Sequence, residues 1–191
     1  MLRFLLRCQT ARVTVRIGLT GTPGVGKTTV ASILSEHFTI IDLVELAEER
    51  GFVGPTGAEF EAREIDIEGL SSALADEWNG PPEKITIIEG HLSHYLPCDM
   101  VIVLRCEPQT LRSRLSKRNY PDWKITDNVE WELMGGPWNE SDSSVIPWIE
   151  FDTTDEIASK ISDRIIKTIE RGAKGTESSS VLDWAEEFGD L

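Results

Sequence analysis

Residues 18–30 read GLTGTPGVGKTTV, and the segment from Gly21 to Thr28 meets the pattern G-x-x-x-x-G-K-[ST] at every fixed position. An apolar run precedes it and a helical pattern beginning Thr28-Thr29-Val30-Ala31 follows it, which is the setting such a loop requires. Gly21, Gly24 and Gly26 let the backbone N–H groups around Thr22 and Val25 curl about an anion, and a helix N-terminus adds partial positive charge. Lys27 then reaches the β- and γ-phosphates of a nucleotide, and the Thr28 hydroxyl ligates Mg²⁺. Gly21, Thr22, Gly24, Val25, Gly26, Lys27, Thr28 and Thr29 are therefore the expected nucleotide contacts.

Outward from this loop, strand-like apolar runs alternate with helical periods. Strands are expected over 13–19, 38–42, 84–88, 100–105 and 148–151. Helices are expected over 26–37 and 43–50, over a stripe of Ile67, Leu70, Leu74 and Trp78, from Pro108 through Leu111 and Leu115, and over 125–134. A capping box of Thr153 with Glu156 opens the last expected helix, 155–171. Such alternation predicts an α/β fold, a doubly wound five-stranded parallel sheet covered on both faces.

A phosphate loop needs a second Mg²⁺ anchor at the end of a neighbouring strand. "ITIIEGHLSHYL", residues 85–96, supplies one: Glu89 closes an apolar strand on the side where ligands bind in such sheets. Asp66 in "DIEGL" resembles a GTPase D-x-x-G, but no apolar strand precedes it and no N-K-x-D guanine motif occurs. A kinase or an ATPase remains, and 191 residues suit a small-molecule kinase of the nucleoside-monophosphate type with a short lid.

Composition narrows the partners. The net charge of −14 argues against a protein that binds duplex DNA, and so against sequence-specific DNA binding; no run of about 18 apolar residues suggests a membrane span. Cys8, Cys98 and Cys106 show no metal-ligand spacing and fit a reducing compartment. Yet Arg105, Arg112, Arg114, Lys117, Arg118 and Lys124 concentrate positive charge within twenty positions. A solvated helix face would explain that cluster, and so would a polyphosphate ligand. Arg114 and Arg118, one turn apart on a helix, would face the same way and stabilise a transferring phosphoryl group.

With these residues assembled, the chain resembles the adenylate kinase–ATPase family of archaea and eukaryotic nuclei, which is linked to maturation of the small ribosomal subunit. The resemblance runs from about Arg16 to Arg171 and rests on "GTPGVGKTT", "EGHLSHYLPCDMVIVLR", "LRSRLSKRNYPDWKITDNVEWE" and "FDTT". Its most selective part is Arg114, Arg118 and Tyr120 followed by Lys124, Ile125, Asn128 and Glu130. It implies ATP as phosphoryl donor, AMP as acceptor with water competing, and Mg²⁺. It also implies that Glu89 organises the metal through water and that His91 points at the acceptor phosphate or the attacking water. Arg118 becomes the lid arginine, and Asp152, Thr153 and Thr154 the loop beside adenine. A loop-capping role is the alternative for His91, and a zinc site is a remote one for His91 with His94. The sequence departs from the pattern at Glu89, where nuclear members carry Asp, at Asn119, where glycine is usual, and in "MGGPWNESDSS" after the lid.

The expected organisation is a loose lead-in at 1–12, a kinase domain at 13–171 with an AMP-side region near 43–80 and a lid near 112–134, and a linker with an amphipathic acidic tail at 172–191. The resemblance implies partners beyond ATP and AMP, namely a small-subunit ribosomal protein and pre-ribosomal RNA, which an acidic surface would suit. It implies a cytoplasmic protein in an archaeon and a nuclear one in a eukaryote. An ATP-gated assembly factor with little kinase activity is the competing reading, and another small-molecule P-loop kinase is a third.

Overall fold

The computed structural model describes residues 14–54, 64–118, 120–140, 146–172 and 182–188; the lead-in, Asn119 and most of the linker lie outside them. The sheet comprises β1 (Arg16–Thr20), β2 (Thr39–Asp42), β3 (Thr86–Glu89), β4 (Met100–Arg105) and β5 (Trp148–Asp152). Its order is β2-β3-β1-β4-β5, with every pairing parallel. The helices are α1 (Lys27–Leu34), α2 (Leu43–Arg50), α3 (Ile67–Glu77), α4 (Pro108–Ser116), α5 (Asp122–Leu133), α6 (Ala158–Arg171) and the short α7 (Trp184–Phe188). The fold is the expected doubly wound α/β sheet.

Alternation along the strands divides the interior in two. On β3, Ile87 joins a cluster with Ile17, Leu19, Leu34, Ile102, Leu111 and Ile165, while Ile88 joins Leu43, Leu46, Leu70, Leu74 and Leu96. Neighbouring residues of a strand point to opposite faces, so one apolar run serves both layers. Leu70 and Leu74 of the predicted stripe are fully buried, with Ile67 and Trp78 packed at the margin. Gly18 is required by close approach, since a Cβ there would lie 3.0 Å from the Ser93 carbonyl oxygen.

The chain leaves β1 toward one edge and β3 toward the other. These adjacent strands therefore open a crevice at their carboxyl ends, where open α/β sheets bind ligands. Register places Leu19 opposite Glu89, and Glu89 opposite Asp42.

Two local expectations are corrected, and the rejected D-x-x-G resemblance is accounted for. Helix α6 starts at Ala158 without a side-chain cap, because the Thr153 hydroxyl donates elsewhere. Asp66 caps α3 by accepting from Gly69 N–H at 3.0 Å, so the D-x-x-G resemblance is a helix start. Arg105 leaves the basic cluster altogether: it is fully buried, paired with Glu132 and Glu150 at 2.7 Å each.

Candidate active site

The loop after β1 is held open by backbone geometry. Gly21 has φ +136°, and a Cβ on it would come within 2.3 Å of the Leu104 carbonyl oxygen; Gly24 has φ +101° and backs onto the Leu111 and Leu115 side chains. Both positions exclude ordinary side chains, which explains the glycines in steric terms. Val25 is buried and anchors the loop in the core. Val25 N–H donates to the Thr22 carbonyl at 3.3 Å.

Lys27 opens α1 and turns back over the loop, donating to the Gly21 carbonyl at 2.8 Å and the Thr22 carbonyl at 3.2 Å. Its amine is pushed down to about 8, chiefly by burial; Glu89 and Glu132 oppose that shift and Arg118 adds to it. Thr28, the next residue, sets its hydroxyl 3.4 Å from Glu89 Oε1. Glu89 is buried at the tip of β3, and loss of water raises its carboxyl above the usual range; Asp42 raises it as well, while Lys27 and the Thr28 hydroxyl oppose them.

One cleft of about 420 Å³ gathers these groups. Its lining includes Lys27, Thr28, Thr29, Asp42, Glu89, His91, Arg118, Tyr120, Lys124 and Asn128. His91 is exposed to this cleft, and desolvation, Lys27 and His94 together push its imidazole down to about 4, so it is neutral at pH 7. Its backbone is fixed from behind: Thr20 Oγ1 donates to the His91 carbonyl at 2.9 Å and lies 2.9 Å from His94 Nδ1. His94 meets Glu140 at 2.9 Å through its other ring nitrogen. Gly90 sits against Leu43, the first residue of α2; a Cβ there would lie 2.6 Å from Leu43 Cβ.

A second cavity of about 380 Å³ continues around the loop, lined by Gly24, Gly26, Thr29, Arg114, Lys117, Arg118, Thr153 and Ile161 among others. Only Thr153 of the expected base-side trio lines it. The Asp152 carboxylate accepts from Thr154 N–H and from the Thr154 hydroxyl, and Thr154 Oγ1 accepts from Glu107 N–H, so both brace the turn. Thr153 Oγ1 bonds the carbonyls of Val25 at 2.8 Å and Arg105 at 2.9 Å, which ties this turn to the phosphate loop.

Arg114 lines this second cavity beside the loop, and its guanidinium donates to Thr153 O at 2.6 Å and Thr154 O at 3.2 Å. Helix α4 stops at Ser116, so Arg118 lies just beyond its end, yet Arg114 and Arg118 line the same cavity. Arg118 is exposed and lines both cavities. The region 112–134 is two helices, and α5 buries Ile125, Val129 and Glu132.

Sequence reasoning missed Asp42, Thr20 and Glu132. Asp42 had a signal, since it stands immediately before a helical pattern, and it does cap α2 by accepting from Val44 and Glu45 N–H. Thr20 and Glu132 had none.

The donor set fits a hard divalent cation. A threonine hydroxyl and a carboxylate stand side by side, and among the described residues no group of three or more His, Cys, Asp or Glu could enclose a metal. Mg²⁺ in phosphoryl-transfer sites is held in this way, by one or two protein oxygens with water and phosphates completing the shell.

The chain is similar to known proteins over most of its length. The family model described as "AAA domain" matches residues 17–135. A protein of Thermococcus onnurineus is 34% identical, covering 90% of this chain and 92% of its own; one of Methanocaldococcus jannaschii is 36% identical, covering 92% and 96%. Both carry the name "Putative adenylate kinase". Among solved structures, a shikimate kinase from Bacteroides thetaiotaomicron superposes with a TM-score of 0.54 at 20% identity, covering 83% of this chain and 99% of that one. A gluconokinase from Sinorhizobium meliloti 1021 gives 0.52 at 14%, covering 84% and 94%. At such identities these two speak for the fold alone. The relatives span nearly the whole sequence, and on that footing the chain belongs to the archaeal adenylate-kinase-like family of P-loop proteins.

Proposed function

We propose that this protein transfers the γ-phosphoryl group of ATP to AMP, with water as a competing acceptor. The observation that carries this reading is the convergence of Lys27, Thr28, Glu89, His91 and Arg118 on one cleft at the β1–β3 crevice. Phosphoryl transfer needs positioned charge more than covalent chemistry, and the cleft holds three cations, Lys27, Arg118 and Lys124, around its polar lining. The loop amides and Lys27 would hold the donor phosphates, and the cavity beside Thr153 would take the base.

Mg²⁺ bound by Thr28 and, through water, by Glu89 would neutralise charge on the donor phosphates. Neutral His91 has a ring nitrogen free to accept a proton or a hydrogen bond from the acceptor, and Thr20 holds its backbone in place. Arg118, beyond the end of α4, reaches both cavities and would offset charge on the group in transit. The proposal extends to small-subunit assembly, which rests on family resemblance and on the acid excess of 33 Asp and Glu over 19 Lys and Arg.

The decisive experiment measures ATP consumption with each nucleoside monophosphate and with none. Faster consumption with AMP, yielding ADP, supports the kinase; equal rates with and without AMP would leave an ATPase. A pull-down of purified small-subunit ribosomal proteins with ATP and with ADP tests the assembly role, which nucleotide-independent failure to bind would remove.

A further inference from the structure

Behind the phosphate loop lies a buried charge network outside the cleft. Glu132 and Arg105 are both fully buried, and Glu150 nearly so. Arg105 Nε donates to Glu132 Oε1 at 2.7 Å, its Nη1 to Glu150 Oε1 at 2.7 Å, and its Nη2 to the Glu132 carbonyl at 3.0 Å. One guanidinium thus faces two carboxylates. The surplus negative charge needs neutral donors, because a buried carboxylate without hydrogen bonds is costly.

The donors come from two places. Cys106 N–H donates to Glu132 Oε1 at 3.1 Å, and the hydroxyl of Thr22, within the phosphate loop, donates to Glu132 Oε2. The others belong to the C-terminal segment. Leu182 N–H donates to Glu150 Oε2 at 2.9 Å, and the indole N–H of buried Trp184 reaches Glu132 Oε1 at 3.3 Å. Arg105 Nη1 closes the circuit on the Leu182 carbonyl at 3.4 Å. Glu132 therefore holds the C-terminal segment with one oxygen and the phosphate loop with the other. Thr22 also offers its carbonyl to Lys27, at 3.2 Å, so the chain of contacts ends on the lysine that faces the cleft.

We infer that Glu132 is a positioning residue for the phosphate loop, and that residues 182–188 act as a strap whose docking on Glu132 and Glu150 tightens nucleotide binding. The inference rests on the reading of this loop as a nucleotide site, and it is independent of the acceptor. Coupling between sites is reciprocal: if a docked strap favours the loop conformation that holds nucleotide, bound nucleotide must favour the docked strap. Withdrawal of the segment by a partner would then loosen nucleotide on the opposite side of the loop.

The test uses the full chain with ADP as probe. In the unaltered protein, hydrogen–deuterium exchange at residues 182–188 is expected to slow when ADP is added. Trp184→Phe, which removes the N–H donor together with the five-membered ring of the indole and keeps an aromatic ring in the pocket, is expected to weaken ADP binding by about fivefold or more, at the lower end of typical coupling. It is also expected to raise the KM for ATP more than it lowers kcat. A double-mutant cycle with Glu132→Gln should be non-additive, since both changes act on one contact. A strap that merely stabilises the fold would lower Tm in Trp184→Phe without ADP-dependent exchange at 182–188, and that result would overturn the inference, as would unchanged ADP affinity. If Trp184→Phe does not fold, the exchange measurement on the unaltered chain decides alone. An unaltered chain that binds no ADP would sink both the inference and the functional reading beneath it.

Discussion

Thr28 and Glu89 are 61 positions apart in the chain, yet the hydroxyl of one lies 3.4 Å from the carboxylate of the other. Parallel pairing of β1 with β3 brings them together: Leu19 stands opposite Glu89, and the loop that follows β1 returns Thr28 to the same level. A strand tip and a helix start meet there, and no backbone strain is needed for an oxygen pair suited to a hard cation.

Chelation of divalent cations should abolish nucleotide turnover, with Mg²⁺ restoring it. Glu89→Gln should raise the Mg²⁺ concentration for half-maximal rate by about tenfold, the scale of losing a water-linked metal partner. A Mg²⁺ titration of both proteins checks this, and superimposable curves would exclude Glu89 from the metal site.

Lys27→Ala should lower turnover by about a hundredfold or more, the scale of removing a preorganised donor from a developing charge. Lys27 also sets a pH signature. Its amine is pushed down to about 8 in the ligand-free protein, chiefly by burial, and phosphate oxyanions would raise it again. ADP binding at pH 9 should therefore take up protons. Calorimetry in buffers of different ionisation enthalpy measures that uptake, and a buffer-independent heat at pH 9 would refute it.

His91→Gly should reduce turnover strongly while leaving ADP affinity within about twofold, because the proposed function sets the imidazole on the acceptor and not on the donor phosphates. The imidazole's folded value, about 4, lies below the ordinary 6.5. Between those values the unfolded chain binds more protons, so this histidine favours folding increasingly as pH rises from 4 to 6.5. Unfolding midpoints of the wild type relative to His91→Gln should follow that direction. A pH-independent difference would mean the ring is not desolvated.

Gly90→Ala should disturb the site through packing alone. The added methyl would lie 2.6 Å from Leu43 Cβ, so either α2 or the backbone between Glu89 and His91 must shift. A Tm loss with a disproportionate fall in turnover is expected, and unaltered kinetics would show that the cleft tolerates the shift. Gly21→Ala is harsher, combining φ +136° with a backbone oxygen 2.3 Å away; backbone strain alone would cost about 1–3 kcal/mol, measurable by denaturant unfolding.

Parts of this site are legible in the linear chain because they are local. The phosphate loop is one contiguous motif between a strand and a helix, so its spacing carries its geometry. Glu89 could be proposed from an apolar run ending in a carboxylate, and His91 from the family resemblance. Where the reading failed, it assumed that nearness in sequence means a shared role. Arg105 looked like a member of a phosphate-binding cluster, but it closes a buried strand and pairs inward with Glu132 and Glu150. Thr153 looked like half of a capping box and instead joins Val25 to Arg105.

The linear chain thus determined by itself the alternation of elements, the anion-holding loop and the carboxylate that closes a neighbouring strand, because hydrophobic period, glycine placement and motif spacing are properties of neighbouring residues. Tertiary structure alone decided which charges face the ligand and which face inward, and that Thr22 and Trp184 share one carboxylate. The physical reason is that burial and hydrogen-bond partnership depend on distances across the sheet. Parallel crossovers set those distances over tens to more than a hundred positions, and no local pattern records them.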